Sequence, residues 1–180
     1  ETLTIPQGGW AEFGQNAHVF LPKTPGSNCV MGQRFVGVAT VISNSTNQPL
    51  IGLMNQSTTI HQTWDKAGAL MSMNRDLGSG KIVFPEAYQY FGAYNWWSSI
   101  TIINVSGGTI PAGDLTCRGI GNVGSTPVDN TWSNPNQLAD GEGWITDMER
   151  NWGPMPVGFI GSVTCVSATN ANILGTLNNL

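Results

Sequence analysis

Charge is what this sequence has least of. Only 10% of its 180 residues are Asp, Glu, Lys or Arg, against roughly 25% in an average soluble protein. Seven basic residues against eleven acidic ones leave a net charge of −4 with no basic run, and without one a phosphate backbone cannot be neutralised, so a nucleic-acid groove is excluded. No apolar run reaches the roughly 18 residues of a membrane-spanning helix. The opening segment ETLTIPQGGW carries no basic and hydrophobic export signal, so the expectation is that such a signal was removed or that export happens another way. Histidine is nearly absent: His18 and His61 lie far apart, which makes a shared metal or catalytic pair unexpected. No Gly-x-Ser-x-Gly elbow is present, so no catalytic residue, metal or cofactor is assigned, and the chain is not expected to be an enzyme.

Cysteine is scarce as well. The three residues Cys29, Cys117 and Cys165 are spaced by 88 and 48, which fits neither a zinc knuckle nor a redox pair. Cys29 falls in a loop, and Cys117 and Cys165 in predicted strands. Either all are small buried thiols, or Cys117 and Cys165 form one disulfide and a free thiol remains.

What is present is neutral and turn-forming. With 23 Gly, 10 Pro and 7 Trp, and a polar surface left to Asn, Gln, Ser and Thr, the composition suits an all-β protein with many turns and argues against a helical one. Neutral polar faces of this kind pack against copies of themselves, as in extracellular surface and filament proteins.

One stretch occurs twice. Phe159 to Asn178, FIGSVTCVSATNANILGTLN, restates Phe35 to Asn55, FVGVATVISNSTNQPLIGLMN. Phe35 meets Phe159, Gly37 meets Gly161, Thr40 meets Thr164 and Ser43 meets Ser167; after one gap Gly52 meets Gly175 and Asn55 meets Asn178. Each copy reads as a β-hairpin, with a β-branched run, a polar turn (Asn44 to Gln48, Ala168 to Asn172) and a second apolar run. The copies stand 124 residues apart before the gap and 123 after it, a period that points to tandem small domains rather than stacked solenoid units. Gly143-Trp144 likewise restates Gly9-Trp10.

Taken in order, Thr2 to Ile5 is a short β-prone run and Trp10 to Phe13 the next strand, followed by a long loop to residue 34. Trp64 to Met73 is the one plausible helical turn. From Lys81 a second unit begins. KIVFPEAY is an edge-type strand interrupted by Pro85, SITIINV (Ser99 to Val105) the strongest strand, and Leu115 to Ile120 the strand carrying Cys117. Residues 121 to 136 read as loop, and Trp144 to Met148 as a strand. The expected fold is an Ig-like antiparallel β-sandwich: a complete unit over residues 81–180, and a partial one with its connecting segment over 1–80. The partial unit lacks counterparts of SITIINV and DLTCRGI. An incomplete sandwich exposes apolar surface and unpaired edges. Strands of a neighbouring subunit, a different local strand order using residues 57 to 81, or further chain would fill the gap. The first of these carries function, with Leu3, Ile5, Trp10 and Phe13 on the incomplete side as the assembly residues.

The order of signals from Lys81 to Asn178 resembles a family of repeat domains in secreted and surface-anchored bacterial proteins. The residues that carry it are Val83, Phe84 and Pro85; Trp96 and Trp97; Ile100 to Asn104; Gly143; and Gly158 to Val163 with Ser167 and Asn178, the closing "GF(V/I)GS" pattern. Gly9 to about Gln56 resembles the latter half of such a unit. The resemblance implies a β-sandwich and an extracellular structural role, and brings no catalytic residues.

Other constellations point elsewhere. Trp96, Trp97 and Trp132 are candidates for stacking on a sugar ring, although Trp10 and Trp144 hold equivalent repeat positions, which packing explains more simply. Asp140, Glu142 and Asp147 gather in DGEGWITD, where a solvated turn is expected over a calcium site. Lys81, with Glu86 nearby, is placed for an isopeptide crosslink to an asparagine. Asn44, Asn55 and Asn104 open glycosylation triplets. The expected function is that of a structural subunit of an extracellular filament or sheath, located outside the cell or at its surface, whose partners are copies of itself. The alternative is a secreted carbohydrate-binding module with glycans as partners.

Overall fold

A computed structural model describes residues 4, 41–44, 53–58, 66–71, 73–93, 95–147 and 155–179, with backbone alone for 53–58, 66–71 and 147. The chain divides into compact units Glu1–Gly37 and Val38–Leu180, and the strands below belong to the second. They are β1 (Leu53–Thr58), β2 (Lys66–Met71), β3 (Lys81–Gln89), β4 (Ser98–Asn104), β5 (Leu115–Val123), β6 (Thr126–Ser133), β7 (Gly143–Asp147), β8 (Phe159–Ser167) and β9 (Ile173–Asn179). β1 and β2 form an antiparallel pair. The other seven make a four-stranded sheet, β3-β8-β5-β6, and a three-stranded one, β7-β4-β9, with every pairing antiparallel.

Alternation explains why two sheets share one core. In SSITIIN every second residue is buried, so Ile100 and Ile102 point inward while Ser99, Thr101 and Ile103 point out. Phe84, Leu115, Phe159 and Val163 from the larger sheet meet Ile100, Ile102 and Ile173 from the smaller one in a single buried cluster. Each large side chain so buried stabilises the fold by about 1.5–3 kcal/mol. Between β5 and β8 the interior is too thin for side chains at two positions. Gly121 and Gly161 are cross-strand partners, and the Phe159 ring fills the space both leave open.

Three expectations are corrected. The second repeat copy is not a hairpin: β8 pairs with β3 and β5, whereas β9 crosses to the other sheet and pairs with β4. Both edges of β8 are already occupied, so the Ala168–Asn172 turn becomes an arch between layers. Lys66–Met71 is a strand, not helix. Its Ala, Leu and Met favour helix, but six residues are too few to sustain one alone, and β1 offers them a ladder. Residues 126–133 form β6 rather than loop. Pro127 and Asp129 disguise it, and both are tolerated because β6 is an edge. β3 is also an edge, and its register shifts between Phe84 and Ala87, where Pro85 cannot donate.

Buried asparagines tie down the loops at one end. Asn104 donates through Nδ2 to the carbonyls of Gly108 (2.7 Å) and Leu138 (2.9 Å), and its Oδ1 accepts from the Ser106 amide (3.0 Å) and hydroxyl (2.8 Å). Asn134 does the same for Leu115, Pro111 and Asn136. Asn104→Ala strands several buried groups at once, so urea unfolding of that variant is expected to show a loss of about 2–3 kcal/mol.

Candidate functional site

The sequence nominates three tryptophans for ligand stacking, and the fold separates them. Trp132 on β6 is the cross-strand partner of Cys117, which partners Cys165, which partners Ile82 at the start of β3. Trp96 bridges Phe91 beyond the far end of β3, so seven strand residues, roughly 20 Å, lie between the two levels. Trp132 therefore cannot share one platform with Trp96 and Trp97.

The structure pairs Trp132 with Trp144 instead. β6 and β7 are edge strands of the two sheets, and the Trp132 indole N–H donates across the layers to Thr146 Oγ1 at 3.1 Å. Trp132, Ser133, Pro135, Trp144 and Ile145 line a cleft of about 260 Å3. No titratable side chain is among these residues, so the cleft suits a neutral group. Its volume falls below the roughly 300–1,000 Å3 of drug-sized sites and matches one ring or one or two aliphatic side chains. Sequence reasoning missed Trp144 because a repeated Gly-Trp reads as packing. Its ring does pack against the core, yet it stays part-exposed.

Trp96 and Trp97 belong to a tight aromatic turn. Reciprocal backbone bonds join Phe91 and Trp96 (2.9 and 3.0 Å), with Tyr90 and Asn95 in the left-handed region at φ 47° and 52°. Such a conformation is unfavourable for a bulky tyrosine and is held only by its surroundings. The Tyr88 ring stacks on Phe91 with centroids 5.5 Å apart, its hydroxyl donating to the Glu86 carboxylate. Trp96 is 44% exposed, and Trp97 is half-buried.

Cys117 and Cys165 face each other across β5 and β8, and their sulfurs are bonded at 2.01 Å. Both are fully buried. Cys29 and the assembly residues Leu3, Ile5, Trp10 and Phe13 lie outside the described residues, as does the side chain of Asn55. Asn44 is exposed. Asn104 is corrected: fully buried with its amide engaged, it has no room for a glycan in the folded sandwich. The crosslink idea is corrected too, because Lys81 and Glu86 are both exposed and the reaction needs a buried carboxylate.

Among the described residues no three His, Cys, Asp or Glu side chains group to hold a metal ion. Asp140 instead binds Arg75 at 2.5 Å and the Gly107 amide at 2.9 Å, and Glu142 accepts from the Ala139 amide. The Arg75 guanidinium, then the Gly107 amide, hold the Asp140 carboxyl below the usual carboxylate range, and Arg118 does the same for Asp129. A carboxyl depressed in the folded state adds stability that is present above its unfolded pKa, about 3.9, and lost as pH falls through the folded value. These pairs are exposed, so the contribution is small and salt-sensitive. Asp140→Asn should flatten the acid limb: its urea midpoint should drop less than that of the wild type between pH 6 and pH 2.

No protein-family model, curated protein or solved structure matches the chain. Among the described residues no helix is long and apolar enough to cross a membrane.

Proposed function

We propose that this chain is a structural subunit of an extracellular surface filament or sheath, assembling through β-strand pairing between like subunits. The observation that carries the reading is the outer face of the four-stranded sheet. Val83, Ile120 and Val166 stand there 54%, 49% and 38% exposed, interleaved with Thr116, Thr131 and Thr164. The charges central to this face, Arg118 and Asp129, neutralise each other through an Nε to Oδ1 bond of 2.7 Å. Exposed apolar side chains of this kind gain by meeting another such face, and the Arg118–Asp129 pair, whose burial costs desolvation, keeps its partner. The buried Cys117–Cys165 disulfide agrees with an oxidising, extracellular setting.

The Ig-like reading belongs to the same proposal. β4 beside β7 and β5 beside β8 reproduce the central pairs of that architecture. The departures are three: the first strand, β3, joins β8 and the last, β9, joins β4, an exchange of the usual places, and the fourth, β6, joins β5 rather than β7. An N-terminal partial unit completed by a neighbour through Leu3, Ile5, Trp10 and Phe13 extends the proposal to residues 1–80. Against it stands the β1–β2 pairing, since β2 supplies a partner from the chain's own residues 57 to 81.

Light scattering and negative-stain electron microscopy of the native material test the reading. Particles far above 19.2 kDa that resist mild denaturant are expected; a monodisperse monomer overturns it. The Trp132–Trp144 cleft favours a second reading, a module binding neutral glycans. Saturable quenching of tryptophan fluorescence by soluble glycans would support it, and a flat titration would remove it.

A further inference from the structure

We infer that the outer edge of β9 is the surface on which a second copy of this chain pairs, β9 against β9 and antiparallel. The inference rests on the self-assembly reading and names the edge responsible. Edge strands are templates for further pairing unless charge, proline, a bulge or shortness blunts them. Three of the four edges of the two larger sheets are blunted. β3 carries Lys81, Pro85 and Glu86 with a register shift, β6 carries Pro127 and Asp129, and β7 is five residues long and ends in Asp147. β9, reading ILGTLNN, has none of these devices.

Backbone direction shows which part of β9 is open. The Ile173 amide and carbonyl both bond to Ser79, at 2.9 and 3.1 Å, so they point away from β4. By the two-residue period of a ladder, the amides and carbonyls of Gly175, Leu177 and Asn179 point the same way. Among the described residues the chain covers the first of these positions and no other: after Ser79 it turns into the other sheet, where Lys81 pairs with Val166. It thus begins a fourth strand of the three-stranded sheet and abandons it. Among the described residues nothing pairs with the edge from Gly175 onward.

An antiparallel edge is complementary to itself. With a two-fold axis at Leu177, Leu177 meets its own copy, and Gly175 meets Asn179 of the second copy, so all three outward positions on each chain are satisfied. The two small sheets become one of six strands, β7-β4-β9-β9-β4-β7. The absence of charge on β9 selects an equally uncharged occupant, and its own copy is one. The shared edge spans about five residues, roughly 17 Å, and buries less than the roughly 800 Å2 per partner of a stable isolated dimer. It therefore acts as a lateral contact that adds to others within a polymer.

The side chains of Thr176 and Asn178 point out of the sandwich, beside Thr101 and Ser99, so they can be changed without entering the core. In the paired state each faces the other's counterpart on the second copy. The full chain carrying Thr176→Lys with Asn178→Lys, and separately Thr176→Glu with Asn178→Glu, is compared by light scattering. Each alone is expected to need at least tenfold higher concentration to assemble, and an equimolar mixture to recover the wild-type threshold. Assembly of either variant at the wild-type concentration, or a mixture that fails to recover, overturns the edge assignment. Amide exchange on assembled wild-type material checks it without variants: Gly175 and Leu177 amides should be protected, and rapid exchange there overturns it. A wild type that never assembles would sink the self-assembly reading itself, whereas a polymer indifferent to these changes sinks only the role of β9.

Discussion

Gly121→Val and Gly161→Val are expected to destabilise the sandwich by roughly 3 kcal/mol or more, with little soluble folded protein at 37 °C. A Cβ built at Gly121 lies 2.7 Å from Gly161 Cα and 2.7 Å from the Phe159 ring, and closer still to the Ile160 carbonyl oxygen. Two of these obstacles are backbone atoms of the central strand β8, and a Cβ at Gly161 likewise meets the Ile120 oxygen and Gly121 Cα of β5, so no rotamer change relieves the clash. The ring cannot leave either, because Phe159 is fully buried in the shared core. Gly108→Ala is the control: nothing lies within 4 Å of its added carbon, and its stability should stay within about 0.5 kcal/mol of wild type. Urea unfolding of the three proteins decides the matter, and a Gly121 variant as stable as the control would refute the packing argument.

Removal of the Cys117–Cys165 bond is expected to cost about 4 kcal/mol, the chain-entropy value for a loop of its length; the sequence separation is 48. The bond ties neighbouring strands of one sheet rather than bridging the two layers, so its loss should leave the fold recognisable but easier to open. Because both sulfurs are fully buried, reductant alone should leave the bond intact, and reductant with moderate urea should break it. The comparison is the urea midpoint of the wild type, oxidised and reduced, with that of a Cys117→Ala/Cys165→Ala variant. Equal midpoints for all three would show that the bond contributes nothing.

Much of the sandwich was legible in the chain. A run rich in β-branched residues marked SITIINV as a strand, and Pro85 marked its segment as an edge because a proline removes one ladder donor. The clefts and partners were less legible. Trp144 read as packing because a repeat position conveys burial but not what stands opposite, and opposite it stands Trp132, from a segment that read as loop. β6 escaped notice because an edge strand needs no continuous apolar face, so its sequence can carry Pro127, Asp129 and Asn130 and still pair along its whole length with β5.

The second repeat copy shows where the two kinds of information part. Turn-forming composition, β-branched runs and charge scarcity by themselves pointed to an all-β chain with a charge-poor surface, because these follow from local backbone preference and desolvation. They could not determine that β8 and β9 separate into different sheets. Hairpin and arch share the same alternation and the same polar turn, and the choice falls to which edges are already taken: β3 and β5 flank β8, leaving β9 only β4. That tertiary competition for backbone partners leaves the edge of β9 unpaired from Gly175 onward among the described residues, and it joins Cys117 to Cys165 and Trp132 to Trp144 across distances in sequence that no local pattern spans.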